Sequence, residues 1–209
     1  MPGKHVHFAD PGLDTPSPSW TISSLPSSTG PITPPQAAGI ALPSVAGPCY
    51  VHPVLAPSLN IQLDFDVSLP SSAATIRDPK LSQYALTQPA TGPALPYLEI
   101  IIPSLPWRLI IYNNAERGGV VTVSDVLAGI YANLRTGVTG PEFNGVSEEA
   151  RAGITKAYTQ RCTRGATSDA AAKQLKKGVK RIDFLQGRNT FQGLTPTKLP
   201  HVWVMDTSA

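Results

Sequence analysis

The chain has 209 residues, of which 41% are hydrophobic and 15% are charged, a size and balance typical of one globular domain with an additional tail. Its two cysteines are too few for the disulfide framework of a small secreted protein, and no run approaches the ~20 apolar residues of a membrane-spanning helix. The N-terminal residues lack the apolar core of a signal peptide. We therefore expect a cytoplasmic or nuclear protein that is not secreted and has no membrane partner.

The N-terminal residues 1–48 are predicted to form a disordered arm rich in Pro, Ser and Thr. Ten of the 22 prolines precede Cys49, and the apolar residues there are scattered without a helical or strand period. Such a segment cannot bury enough apolar surface to offset the entropy lost on ordering. The arm contains minimal sites for proline-directed phosphorylation at Thr15, Ser17 and Thr33. It is either a regulated segment that gains negative charge or a passive solubilising tail.

Residues 49–209 are predicted to form a single α+β domain, beginning with a half-buried strand. Apolar and polar side chains alternate over residues 60–67, which is typical of such a strand. Residues 68–96 return to Pro, Ser, Ala and Thr and are predicted as a long surface connection. The β-rich runs 97–102 and 107–112 are predicted to be two strands of one sheet.

Helices are predicted in the second half of the chain. Thr122 and Asp125 match a capping box. The three predicted helices have boundaries at Thr122 and Gly137, at Ser147 and Gly165, and at Ser168 and Lys177. Further strands are predicted at 179–186 and 202–205, with a loop at 187–200. This order predicts a small antiparallel or mixed sheet with two to three helices packed on one face.

An ordered series of short motifs resembles a known domain family. The motifs are VHPVL at 51–55, LDFDVS at 63–68, LPW at 105–107, VTVSDVL at 121–127, GVKRIDFL at 178–185, FQGL at 191–194 and VWV at 202–204. Together, over roughly residues 50–206, they resemble an uncharacterised domain family abundant in mushroom-forming fungi, whose members also have a Ser/Thr/Pro-rich arm. Phe65 stands where that family tends to have tryptophan. The resemblance implies no activity, ligand, cofactor or catalytic residue.

Side chains of the types that bind zinc occur at four positions, Cys49, His52, Cys162 and His201. Only the first two have the spacing of a half-site, and Cys162 lies on the apolar stripe of the second predicted helix. We therefore expect no metal.

Motifs of known enzymes are absent from the sequence, including nucleophile elbows, phosphate-binding loops and dinucleotide fingerprints. Asp183, His201 and Glu99 would form an acid–base group if their strands met, although Asp183 is expected to pair with Arg181 on one strand face. We predict no catalytic residue and no cofactor.

Positive charge is concentrated near the C-terminus. Residues 151–209 carry eleven Lys/Arg against three Asp/Glu, whereas residues 1–150 carry six against eleven. The candidate anion-binding residues are Lys173, Lys176, Lys177, Lys180, Arg181 and Arg188, preceded by Arg161 and Arg164. They indicate either a site for RNA or phosphorylated protein, or a solvated helical surface.

Three functions therefore stay open. The absence of any chemical motif favours a non-catalytic protein-interaction or scaffold module with an unknown protein partner and a phosphorylatable arm. The alternatives are anion or RNA binding by the basic segment, and an enzyme of unrecognised type.

Overall fold

The computed structural model describes residues 49–58, 62–77, 84–113, 119–164 and 167–209. The predicted arm, including Thr15, Ser17 and Thr33, lies outside these residues. The strands are β1 (Tyr50–Val51), β2 (Leu63–Asp64), β3 (Thr75–Ile76), β4 (Thr91–Gly92), β5 (Tyr97–Ile101), β6 (Arg108–Tyr112), β7 (Thr190–Pro196) and β8 (Val202–Ser208). The helices are α1 (Val123–Leu134), α2 (Gly140–Asn144), α3 (Glu148–Thr163) and α4 (Ser168–Leu175), with 3₁₀ helices at Pro53–Leu55, Ser71–Ala73 and Arg181–Leu185.

A four-stranded mixed sheet organises these elements, with the spatial order β6-β5-β8-β7. Strand β5 is antiparallel to β6 and parallel to β8, and β7 is antiparallel to β8. Two short antiparallel ribbons, β1–β4 and β2–β3, lie outside it. The prediction of an α+β fold with a small mixed sheet is confirmed.

Helix α1 packs against β6 and closes one face of the sheet. The predicted capping box is confirmed, since the Asp125 N–H donates to Thr122 Oγ1 at 3.2 Å and the Thr122 N–H donates to the Asp125 carboxylate at 3.0 Å. A Cβ on Gly129 would lie 2.8 Å from the Ile111 side chain. Glycine there lets the helix backbone approach β6 closely. The apolar stripe of α1 is buried against the sheet and consists of Val126, Leu127, Ile130 and Leu134.

The predicted strand at 179–186 is wrong, because residues Arg181–Leu185 form a 3₁₀ helix. Residues 182–185 are all buried, including Asp183, so the apparent alternation did not reflect a two-sided strand. The Lys180 N–H donates to the Asp183 carboxylate at 2.8 Å, and Gln186 ends the turn with a φ of 51°. The Asp183 carboxylate thus accepts the backbone N–H of Lys180, which in a strand would bond to a neighbouring strand.

The predicted loop at 187–200 is also wrong, since β7 occupies its centre. Gly193 follows a register shift beside Phe191 and has a φ of 132°. A Cβ at Gly193 would lie 2.5 Å from the backbone nitrogen of Pro57. The glycine thus permits a close approach of two backbone segments, and Pro196 stands at the strand end.

Smaller differences concern helix ends and the first strand. Helix α1 ends at Leu134 with Arg135 as its C-cap, so Gly137 does not end it as predicted; instead Gly137 bridges Lys180. Helix α2 was not predicted. The predicted second and third helices are present as α3 and α4, but Gly165 lies outside the described residues.

Residues 60 and 61 of the predicted strand at 60–67 lie outside the described residues; in the described remainder the regular strand is β2, and the alternation of buried and exposed side chains is present. Leu63, Phe65 and Val67 are buried and Asp64 is exposed. Within the predicted connection at 68–96, the described residues include β3 and β4.

Each helix in the described ranges is too short or too polar to cross a membrane.

Strand β8 lies between two neighbours near the end of the chain, which makes it essential for stability. Trp203 is 1% exposed and pairs with Ile100. We expect Trp203→Ala to lower the free energy of unfolding by about 3–5 kcal/mol, and a chain ending at Leu199 to be insoluble or molten. Removal of residues 1–45 should leave the cooperative transition little changed. Thermal unfolding of the three proteins side by side is the measurement, and normal melting of the chain ending at Leu199 would contradict the assignment of β8 to the core.

Candidate functional site: an arginine-lined groove

Helix α3 provides one wall of the candidate site. Ser147 caps its start by accepting the Ala150 N–H at 3.3 Å, and two glutamates lie in its first turn while Arg161 lies in its last, as the helix dipole favours. Residues three and four positions apart share a helix face. Ala157, Arg161 and Arg164 therefore lie along one side of α3 and line the same groove.

A buried ion pair joins α3 to the 3₁₀ helix Arg181–Leu185. Arg161 donates from Nε to Asp183 Oδ1 at 2.7 Å and from Nη2 to Asp183 Oδ2 at 2.8 Å. The Asp183 side chain is 1% exposed and that of Arg161 is 15% exposed. The hydrogen bonds to Asp183 raise the pKa of Arg161 above its ordinary value. The predicted partner of Asp183 was Arg181, and that prediction is wrong.

Arg181 lies instead over Trp107, with 4.9 Å from its guanidinium carbon to the ring centroid. The Trp107 indole N–H donates to Glu142 Oε1 at 2.7 Å, and its ring meets Phe184 edge-on with centroids 4.8 Å apart. Phe184 is buried. The cation of Arg181 is thus part of a packed cluster that fixes α2 and the 3₁₀ helix.

The groove itself has a volume of about 630 Å³. Its walls come from the end of α1, from α3, from the 3₁₀ helix and from the segments around residues 68 and 188. Its lining residues are Ser68, Leu69, Arg135, Ala157, Gln160, Arg161, Thr163, Arg164, Ile182, Asp183, Gly187 and Asn189.

Two of the three lining arginines keep charge available for a ligand. Arg135 lies over its own helix neighbour Tyr131, 5.5 Å from the ring centroid. The Arg164 side chain is 75% exposed, and its nearest carboxylate oxygen, on Asp66, is 3.9 Å away. Exposed pairs at this distance contribute little.

The pKa of Lys180 reflects its burial and the positive charges beside the groove, against which Asp183 acts. Its pKa is lowered, first by burial and then by the charges of Arg135, Arg161 and Lys177. Since the added proton is disfavoured by these neighbours, an anion placed among them would be stabilised.

The predicted anion-binding residues are largely placed elsewhere. Of that set and its two preceding arginines, Arg161 and Arg164 line the groove. Lys173, Lys176 and Lys177 are exposed at the end of α4 and just after it, and Arg188 directs its Nε to the Leu185 carbonyl at 3.4 Å. Arg135 was missed. The sequence places Arg135 at the C-terminus of a predicted helix, but 26 residues from Arg161, so no local pattern joins the two arginines.

The candidate metal ligands have separate partners. His52 Nδ1 accepts the Val54 N–H at 3.2 Å while its Nε2 bonds Gln88 at 2.8 Å, so both ring nitrogens are engaged. Cys162 is buried in α3, and the His201 ring lies 5.3 Å from that of Tyr97. Burial raises the pKa of the Cys49 thiol. The described ranges contain no group of three or more His, Cys, Asp or Glu side chains arranged to hold a metal.

The acid–base group considered from the sequence is divided among different partners. Asp183 bonds Arg161, and Glu99 pairs with Arg108. His201 contacts Tyr97 through its ring and Glu99 through its backbone carbonyl, which accepts the Glu99 N–H at 2.8 Å.

A second surface, the free edge of β6, has a different chemistry. Strand β6 has a sheet neighbour on one side in the described part of the chain. Ile110 is 49% exposed and Tyr112 is 63% exposed. The Tyr112 ring lies 6.2 Å from that of Tyr97 on the adjacent strand. This edge and its two exposed side chains, Ile110 and Tyr112, are called the β6 edge below.

These features define an α+β domain with a mixed four-stranded sheet, an arginine-lined groove and an open apolar edge. The chain belongs to a family of unknown function, DUF6699, which it matches over residues 63–201. The expectation of a domain of unknown function is thereby confirmed. No curated protein and no solved structure shows a significant match to the chain.

The Arg161–Asp183 pair gives a stability prediction. Removing one partner of a buried pair leaves an uncompensated charge, so Asp183→Ala should lower the free energy of unfolding by about 3–5 kcal/mol. The matched control is Asp64→Ala, because Asp64 and Arg77 lie 3.8 Å apart with side chains more than 60% exposed; its loss should be below about 1 kcal/mol. Urea denaturation followed by tryptophan fluorescence measures both. Equal losses for the two variants would show that the buried pair contributes no more than a surface pair.

Proposed function

We propose that this chain is a non-catalytic protein-interaction module that binds an extended segment of a partner protein along the β6 edge. The partner segment adds a strand beside β6 through main-chain hydrogen bonds, and its alternate side chains contact Ile110 and Tyr112. Strand addition of this kind is a recurrent mode of peptide recognition.

The orientation of the β6 backbone is the observation that carries the proposal. The Glu99 N–H donates toward β8, to the His201 carbonyl at 2.8 Å. Glu99 pairs with Ile110 in the β5–β6 ladder. In an antiparallel strand pair, two opposite residues either exchange hydrogen bonds through their N–H and C=O groups, or both residues direct these groups away from each other. The N–H and C=O of Ile110 therefore point outward from the sheet.

The outward carbonyl of Ile110 has only a weak contact. The Asn133 side-chain amide on α1 lies 3.5 Å from it, while the same nitrogen donates to the Gly129 carbonyl at 2.9 Å. Since a bond of 3.5 Å is at the limit of hydrogen bonding, an incoming backbone N–H would replace it at little cost.

The composition of the edge also supports partner binding. Natural proteins protect free edges with charged residues, proline or bulges. Here the charge of Arg108 is paired with Glu99 on the neighbouring strand. The two other residues of β6 whose backbone groups point away from β5 are Ile110 and Tyr112, which carry no charge. The partner chemistry that fits is an uncharged extended segment with apolar or aromatic residues at alternate positions.

The test uses a display library of random 12-residue peptides selected against the full chain. Selected peptides should lose at least about tenfold in affinity, or 1.4 kcal/mol, for Ile110→Lys/Tyr112→Lys. The matched control is Tyr84→Lys/Leu199→Lys, since Tyr84 is 67% exposed and Leu199 is 54% exposed; its affinity should be unchanged. N-methylation of alternate peptide nitrogens should weaken binding, because main-chain donors are removed.

Three results would contradict this proposal. One is a library that yields no binder, and another is a set of binders equally affected by both double variants. The third is light scattering that shows a dimer of the chain which Ile110→Lys/Tyr112→Lys converts to monomer, because the β6 edge would then be an interface between two copies. Thermal unfolding of both double variants checks that each remains folded.

A further inference from the structure

We propose that the arginine-lined groove binds the chain's own N-terminal arm when Thr33 is phosphorylated, with the phosphoryl group held between Arg135 and Arg164. This site is separate from the β6 edge. The ligand chemistry is a phosphothreonine followed by proline.

The charge balance of the groove favours a dianion. Asp183 is neutralised by Arg161 through two hydrogen bonds. Arg135 and Arg164 line the same groove, and neither makes a hydrogen bond to a carboxylate in the described residues. Phosphothreonine carries nearly two negative charges near neutral pH, and guanidinium groups bind phosphate oxygens in a bidentate manner.

The remaining walls suit the rest of a phosphothreonine-proline segment. Ser68 and Gln160 line the groove and carry a hydroxyl and an amide group, whereas the Thr163 hydroxyl already donates to the Thr159 carbonyl at 2.9 Å. Leu69 is 43% exposed on the same wall and offers an apolar surface for the ring of Pro34. The groove thus combines cations, polar donors and one apolar contact.

The arm is long enough to reach the groove. Thr33 precedes Cys49 by 16 residues, a length that spans up to about 50 Å when extended. A domain of this size has a radius of gyration of about 15 Å, so most of its surface lies within reach. Because the arm is covalently attached, its effective concentration is in the millimolar range, and a weak phosphate contact is sufficient for occupancy.

Two substitutions at the groove have opposite expected effects. Arg135→Gln/Arg164→Gln removes the phosphate ligands. Asp66→Asn removes the carboxylate that lies 3.9 Å from Arg164 and should strengthen binding, because that carboxylate competes with phosphate. An amide at residue 66 can still accept the Ser68 N–H, which now donates to Asp66 Oδ1 at 2.8 Å. A gain in affinity cannot result from unfolding.

The test titrates the unphosphorylated full chain with a synthetic peptide of residues 27–39 that carries phospho-Thr33. The unphosphorylated peptide should bind at least about tenfold more weakly, and Arg135→Gln/Arg164→Gln should cause a loss of the same size. Asp66→Asn should bind several-fold more tightly. The matched control is Lys176→Gln/Lys177→Gln, which removes the same charge from exposed residues after α4 and should have little effect.

The second arm of the test uses the full chain phosphorylated at Thr33. It should bind the added peptide at least about tenfold more weakly than the unphosphorylated chain, because the attached arm occupies the groove. Equal binding by the two forms would overturn docking within one chain. The proposal is also overturned if the lysine and arginine double variants lose affinity equally, or if a single-stranded RNA oligonucleotide binds with the same arginine dependence while the phosphopeptide does not.

Discussion

The two hydrogen bonds between Arg161 and Asp183 determine where α3 lies against the 3₁₀ helix. A buried carboxylate costs several kcal/mol unless a cation and donors surround it, and Asp183 accepts from both Arg161 and the Lys180 N–H. The 3₁₀ helix can therefore bury its side chains only where α3 supplies the guanidinium. Arg164, the C-cap residue of α3, is placed by the same contact, so the position of the groove depends on this pair.

The same contacts explain why total charge is a poor guide to accessible charge in this protein. The C-terminal segment has a large excess of Lys and Arg, yet Arg161 is neutralised and Arg181 is packed over Trp107. The accessible positive charge at the groove comes from Arg135 and Arg164, the C-cap residues of two helices that are far apart in sequence. The proposed anion site is therefore one that tertiary packing assembles, and a run of basic residues in the sequence does not mark it.

Local signals predicted the elements that depend on local contacts. The capping box of Thr122 and Asp125 and the cap at Ser147 located the starts of two helices, because those hydrogen bonds join residues three positions apart. The 3₁₀ helix was missed although a local hydrogen bond from the Lys180 N–H to Asp183 closes its start, because the burial of Asp183 depends on Arg161, 22 residues away in sequence. Strand β7 was missed because residues 187–200 were predicted as a loop, and nothing local in the sequence shows that Gly193 permits a close backbone approach to Pro57. The Thr139–Glu142 pattern before α2 was available in the sequence, and its side-chain hydrogen bond is present at 2.7 Å.

Helix α1 relates the two candidate surfaces, because it packs on β6 and its C-cap residue, Arg135, lines the groove. Its start is capped and its apolar stripe is buried, so it is a rigid support rather than a hinge. Ile110 and Tyr112 at one surface and Arg164 at the other are exposed. Their side chains can therefore move on ligand binding without any repacking of the core. Occupation of the groove would therefore alter the charge near α1 while leaving the backbone of the β6 edge in place. On this geometry we expect the two proposed sites to bind their ligands independently.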